Sequence, residues 1–105
     1  MTYITSTQVV GGSLAVYHDL LAALPTTEPL GLLARYAGTT DGMLVITAVW
    51  ESKAHSDRFT AEMLRPAIRG LSLPPGQSSR TVEYETDDEF VAVPSHGPAV
   101  EAQAD

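Results

Sequence analysis

The chain has 105 residues and a mass of 11.2 kDa, which suits one domain and leaves no room for a separate cofactor domain. Its 13 acidic and 6 basic residues give a formal net charge of -7, so we expect neither nucleic acid nor an anionic membrane as a partner. The absence of cysteine excludes disulfides, a thiolate nucleophile and any cysteine-ligated metal centre.

The first half of the chain predicts a strand, a helix and a hairpin. Residues Tyr3–Val10 mix β-branched and polar side chains and stop at a Gly-Gly pair, which is typical of a strand before a turn. A helix over Ala15–Leu24 follows, with Ser13 as its N-cap. Two apolar runs, Leu30–Ala37 and Met43–Trp50, flank a polar turn and predict a hairpin. Neither run alternates cleanly between apolar and polar side chains, so both faces of this sheet should be covered.

The second half predicts a longer helix and one more strand. A serine N-cap begins a helix from Lys53 to about Gly70, in which Pro66 should produce a kink. Residues Arg80–Val93 predict a fourth strand, whose acidic side chains we expect to face water. The segment 94–105 has no periodicity, so we expect a mobile tail after a single domain at 1–93.

The order of these elements predicts the architecture. Strand, helix, strand, strand, helix, strand is the ferredoxin-like βαββαβ arrangement, an α+β fold with an antiparallel sheet and two helices on one face. No third helix is available for the other face, and the simplest cover is a second copy related by a twofold axis, which predicts a homodimer. The sequence shows no long apolar run and no basic leader, so we expect a cytoplasmic protein that does not enter a membrane.

Several short stretches resemble a known superfamily. Gly31–Arg35, then Val49–Ser52, then Phe59 and the Leu-x-Pro-Ala of Leu64–Ala67 are similar to dimeric α+β barrel proteins, especially small actinobacterial proteins of antibiotic biosynthesis monooxygenase type. The resemblance covers about residues 3–92. It implies a dimeric barrel with a ligand cavity between the sheet and the helices of one subunit. It also implies cofactor-independent oxygenation of polyketide anthrones or quinols as one of several activities.

Three side chains are candidates for catalysis in such a cavity. His55 lies four residues before Phe59, and an imidazole can take a proton from a substrate, so His55 could act as the base. It also suits a surface position, because the helix dipole near an N-terminus disfavours its charged form. Arg35 and Tyr36 are neighbours on a strand, so only one can face the cavity and hold a substrate oxyanion. The other would face the second copy, where Arg35 could form a salt bridge.

Five more side chains are candidates for substrate binding. The Trp50 indole could stack on a flat substrate and donate a hydrogen bond to it, or it could anchor the core. The other four suit either a cavity wall or a core or interface position: Phe59, Met63, Tyr17 and Tyr84. The three histidines lack metal-ligand spacing, and no phosphate-binding loop is present, so we expect no metal and no cofactor.

The function expected from these residues is a small cofactor-independent enzyme for a hydrophobic, aromatic or polyketide-like molecule. Oxygenation is the leading reaction, because a deprotonated electron-rich substrate can reduce oxygen directly in a dry cavity. A cyclase or isomerase would use the same deprotonation without oxygen. A ligand-binding dimer without chemistry is the alternative from another class, and in that case the candidate residues form only a core.

Overall fold

The four strands form a single antiparallel sheet. A computed structural model describes residues 2–71 and 78–92, and the predicted tail at 94–105 lies outside them. The strands are β1 at Tyr3–Val10, β2 at Leu32–Thr40, β3 at Met43–Trp50 and β4 at Ser78–Glu85. Their order in the sheet is β2-β3-β1-β4. The predicted bounds of β1 and β3 are confirmed at both ends.

The helices complete the predicted ferredoxin-like α+β fold. The first, α1, spans Leu14–Ala23. The second helical region consists of α2 at Lys53–Phe59, a π-helical segment at Thr60–Leu64 and α3 at Arg65–Arg69. Residues of both helical regions lie over one face of the sheet, which we call the inner face. Across the described residues, no helix combines the length and apolar character of a membrane span.

Serine side chains begin both helical regions, as predicted. The Ser13 hydroxyl accepts a hydrogen bond of 3.2 Å from the Val16 N–H. The Ser52 hydroxyl accepts one of 3.3 Å from the His55 N–H. Each bond satisfies a backbone donor that has no partner within the first helical turn.

The sequence predicts a kink at Pro66, and the structure has a π-helical segment in the turn directly before this residue. There the Arg65 N–H donates to the Thr60 carbonyl, five residues back. Proline has no N–H, and in an α-helix its ring crowds the carbonyl four residues back. The wider π turn directly before Pro66 relieves this crowding.

The hairpin is tighter than the sequence predicts. The expected end of β2 at Ala37 is wrong, because the strand continues to Thr40 and meets β3 through the two residues Asp41 and Gly42. Asp41 has φ +49° and Gly42 has φ +74°, the pair of positive values that a type I′ turn requires. This turn matches the twist of the strands, so the polar residues before it remain in the ladder.

The fourth strand, in contrast to β2, ends earlier than predicted. It stops at Glu85 instead of near Val93, which lies outside the described residues. Beyond it, the N–H of the buried Thr86 donates to the Thr2 carbonyl at 2.9 Å, and the Thr86 hydroxyl donates to the Glu89 carboxylate. Thr2 donates to the same carboxylate through its N–H at 2.9 Å. The bonds from Thr86 and Thr2 lower the pKa of Glu89 to about 2.

The core lies between the helices and the inner face. Tyr3, Ala48 and Trp50 form its buried cluster, and Leu32 and Phe59 pack against them. The opposite face of the sheet, the outer face, is not covered by the helices that the structure describes. Four of its large side chains are between 49% and 65% exposed: Val10, Tyr36, Val82 and Tyr84.

Candidate functional site

A cavity of about 810 Å³ lies between the helices and the inner face. This volume falls within the usual range for small-molecule sites. Apolar side chains from α1, α3 and the sheet form much of its wall: Leu20, Leu24, Leu44, Ile46 and Ile68. The charged side chains of the wall come from the sheet and from the second helical region: Arg35, Glu83, Asp57 and Arg65. Thr5 and Thr7 add hydroxyl groups on the sheet side.

A β-bulge turns Arg35 toward the cavity. Leu32 pairs with Trp50, but the next pairing along β2 begins at Ala34, so Leu33 is an extra residue in the ladder. As a result Leu32 and Arg35 both line the cavity although they are three residues apart. Tyr36 then lies on the outer face, where it is 65% exposed. The two neighbours therefore take opposite faces, as predicted, and Arg35 is the one in the cavity.

The charge of Arg35 is not neutralised by an acidic neighbour. Its Nη1 donates a hydrogen bond of 3.1 Å to the Thr27 carbonyl, which holds the half-buried side chain against the loop before β2. Within the described ranges, Arg35 forms no salt bridge. The other N–H groups of the guanidinium can therefore bind an anionic oxygen of a ligand.

Trp50 combines a buried ring with an unpaired donor. It is 3% exposed, and its ring centroid lies 5.2 Å from that of Phe59, with both residues on the cavity wall. Its Nε1 is buried and has no hydrogen-bond partner among the residues that the structure describes. Such an unpaired donor costs about 1–3 kcal/mol. A ligand oxygen placed against Trp50 is the kind of acceptor that would remove this cost.

The acidic residues of β4 are exposed, as predicted, and one of them, Glu83, also belongs to the cavity wall. Its side chain lines the open edge of the cavity and accepts a hydrogen bond from the Tyr3 hydroxyl. This bond raises the pKa of Tyr3 to about 12, because the phenol is stabilised in its protonated form beside a carboxylate. The other carboxylate of the wall, Asp57, lies 2.7 Å from the Lys53 ammonium.

The sequence suggests that His55 shares the cavity with Phe59, but the structure places His55 elsewhere. Its Nδ1 lies 2.8 Å from the Ser52 hydroxyl, and the half-buried ring packs against Gly31. A Cβ at Gly31 would lie 2.3 Å from the ring, and this glycine has φ +87°, so both space and backbone require glycine there. Phe59 lies on the cavity wall, and His55 is outside the described lining.

The structure brings half of the predicted site residues together. Four line the cavity: Arg35, Tyr17, Trp50 and Phe59. Four lie elsewhere in the described chain: His55 beside Gly31, Met63 in the π segment, and Tyr36 and Tyr84 on the outer face. Sequence reasoning did not select Thr5 and Glu83, because their position depends on a strand register that the sequence does not specify.

Neither a family model nor a curated protein matches this sequence. Solved structures do match the fold. Rv0793 from Mycobacterium tuberculosis is 15% identical with a TM-score of 0.65, and the match covers 87% of this chain and all of that one. SnoaB from Streptomyces nogalater, a cofactor-independent oxygenase, is 16% identical with a TM-score of 0.59, over 85% of this chain and 95% of that one.

A third similar structure was solved with a ligand. It is a monooxygenase from the gene ActVA-Orf6 of Streptomyces coelicolor, in complex with nanaomycin D. It is 21% identical with a TM-score of 0.52, and the match covers 89% of this chain and 92% of that one. At these identities the likeness shows the fold alone. The predicted resemblance to proteins of antibiotic biosynthesis monooxygenase type is confirmed at that level.

Proposed function

We propose that the protein is a small cofactor-independent monooxygenase that acts on a hydrophobic, aromatic or polyketide-like metabolite. The observation that carries this proposal is the cavity of about 810 Å³, which combines a cation at Arg35 with the Trp50 and Phe59 rings. The oxygenase from Streptomyces nogalater and the monooxygenase from Streptomyces coelicolor share the fold and support the reaction class.

In the proposed reaction the substrate supplies the electrons. Loss of a proton from an anthrone-type CH₂ to a base of the cavity gives an anion, which transfers one electron to O₂. The substrate radical and superoxide combine to a peroxide anion, which takes a proton back from that base and becomes a hydroperoxide. Loss of water from the hydroperoxide leaves a quinone carbonyl, so one oxygen atom enters the product and the other leaves as water. Arg35 would stabilise the oxyanion of the deprotonated substrate, and Trp50 would donate its unpaired N–H to a substrate oxygen.

The substrate proton also needs an acceptor at the cavity. His55, the base expected from the sequence, contacts Ser52 and Gly31 and lies outside the described wall. The carboxylates on the described wall are Asp57 and Glu83. We therefore assign the acceptor role to this pair of carboxylates and not to the histidine.

We further propose that a second copy covers the outer face in a homodimer, and that the protein works in the cytoplasm. Tyr36, Val82 and Tyr84 are each close to half exposed or more in the single chain. Exposed apolar side chains grouped on one sheet face favour burial in an interface. Two copies related by a twofold axis would bury it without a new element.

Oxygen uptake tests the proposed reaction. Purified protein is mixed with anthrone or 1,8-dihydroxyanthrone under ¹⁸O₂, and both the rate of uptake and the label in the quinone are measured. We expect uptake above the uncatalysed rate, with one labelled oxygen in each quinone. Conversion of a substrate without uptake would favour the cyclase or isomerase alternative. Binding of these compounds without any conversion would favour the non-catalytic alternative.

A further inference from the structure

A straight row of four residues crosses the inner face at the floor of the cavity. The strand register pairs Arg35 with Ala48, Ala48 with Thr5, and Thr5 with Glu83. All four line the cavity. Neighbouring strands are about 4.8 Å apart, so the Cα atoms of the two end residues are roughly 14 Å apart. The row therefore has a cation at one end, a carboxylate at the other and two small side chains between them.

The two charged ends do not neutralise each other. Arg35 is held by the Thr27 carbonyl, and Glu83 is held by the Tyr3 hydroxyl, so each is fixed by a neutral group. Neither takes part in a salt bridge within the described parts of the chain. Tyr3 donates to one oxygen of Glu83, which leaves acceptor positions on the carboxylate for another donor.

The small side chains leave space along this row. Ala48 and Thr5 occupy its middle, whereas the next row along the strands holds the large Trp50 ring, paired with Leu32 and Tyr3. A flat ligand that lies along the row would have Trp50 beside it and the charged groups at its ends. This arrangement suits an elongated molecule better than a round one.

Building on the proposed function, we propose that the cavity selects an elongated aromatic ligand with two different ends. An anionic oxygen, a carboxylate or phenolate, binds Arg35, and a hydroxyl at the far end donates to Glu83. Tyr3 acts as a positioning residue that orients the Glu83 carboxylate. The substrate would therefore carry an anionic oxygen and a hydroxyl at opposite ends, and its long axis would follow the row.

Three naphthalene probes test the two ends separately. They are 6-hydroxy-2-naphthoate with both groups, 2-naphthoate with the anion alone and 2-naphthol with the hydroxyl alone. Binding is measured by calorimetry under anaerobic conditions, so that no oxygenation takes place. We expect the hydroxynaphthoate to bind roughly tenfold more tightly than either single-ended probe, since each lost contact involves a charged group.

Methionine substitutions remove the charged protein group at each end of the row, so each should weaken the probes that bind to that group. Arg35→Met should weaken both naphthoates roughly tenfold and leave 2-naphthol unchanged. Glu83→Met should weaken the two hydroxylated probes and leave 2-naphthoate unchanged or slightly tighter. Tyr3→Phe should weaken the same hydroxylated probes about threefold, because Glu83 loses the bond that orients it. The control Glu85→Met, on the same strand but outside the described wall, should change none of them.

Three results would overturn the inference. One is equal affinity of the native protein for all three probes, and another is no binding of the hydroxynaphthoate at about 1 mM. The third is a loss for 2-naphthoate in Glu83→Met as large as that for the hydroxynaphthoate, with thermal unfolding unchanged. These results are independent of oxygen uptake: the binding pattern can hold when no turnover is found, and turnover can be found when the pattern fails.

Discussion

Each face of the sheet carries some side chains that its surroundings alone do not explain. The inner face is covered by helices, yet it carries Arg35, Thr5 and Glu83 at the cavity floor. On the outer face, Tyr36 and Val82 are exposed among the described residues and present apolar surface there. In a simple amphipathic sheet, these particular polar groups would lie in water and these particular apolar groups under the helices.

The ligand and the second copy proposed above would each complete one of the two faces. At the inner face the buried Trp50 N–H has no partner among the described residues, and a ligand with a matching acceptor would supply one. Apolar groups in water favour burial, and at the outer face a second copy would supply it. The four predictions below test the assignment of ligand to one face and partner to the other.

The largest effect is expected at the inner face, for Arg35→Met. Removal of the guanidinium should lower kcat by about 10²-fold, because a group that stabilises an oxyanion acts in the transition state. Initial rates of oxygen uptake measure this loss. Arg69→Met, at the end of α3 and outside the described cavity lining, should stay within about threefold of the native rate. Equal losses in the two variants would contradict the role of Arg35.

A charge on the outer face should affect assembly and leave the cavity intact. We expect Tyr36→Glu to weaken the dimer by about 10- to 100-fold, because two buried carboxylates would face each other or lie unpaired in the interface. Sedimentation velocity over a range of concentrations measures the change. Ala22→Glu, at an exposed position of α1, serves as the control and should sediment like the native protein. A native protein that sediments as a monomer at all concentrations would rule out the proposed interface.

His55→Ala should have a small effect on turnover, within about threefold, since the ring lies against Gly31 and outside the described wall. The variant should lose about 1 kcal/mol of stability with the hydrogen bond to Ser52. Oxygen uptake and urea unfolding measure the two quantities. A fall in turnover of about 10²-fold in a folded variant would instead identify His55 as the base.

The smallest effect concerns the ionisation of Tyr3. Folding raises its pKa from 10.0 to about 12, chiefly through the bond to Glu83, so the associated stability is present below pH 10 and is lost as the pH rises to 12. Glu83→Gln removes the negative charge and should return the pKa of Tyr3 toward 10. Near-ultraviolet absorbance of tyrosinate follows the titration. Glu85→Gln should leave it unchanged, and a Tyr3 pKa that stays near 12 in Glu83→Gln would contradict the contact.

Much of the fold could be predicted from the sequence, because local signals agree with one another. Ser13 is flanked by helical periodicity, and the run Met43–Trp50 is rich in β-branched residues, so these elements are found where expected. The site was less predictable. The direction of Arg35 depends on the bulge at Leu33, and the position of Glu83 depends on pairing with a strand at the other end of the chain. Neither leaves a signal in local residue patterns.

The π segment at Thr60–Leu64 has a consequence for the comparison of relatives. A π turn amounts to one extra residue within a helix, so every position after it is displaced by one relative to an uninterrupted α-helix. Cavity residues on α3, such as Ile68, then align with different side chains in a protein that lacks the insertion. Equivalent positions in this helix must therefore be assigned by superposition, and a gap of one residue is the correct alignment there.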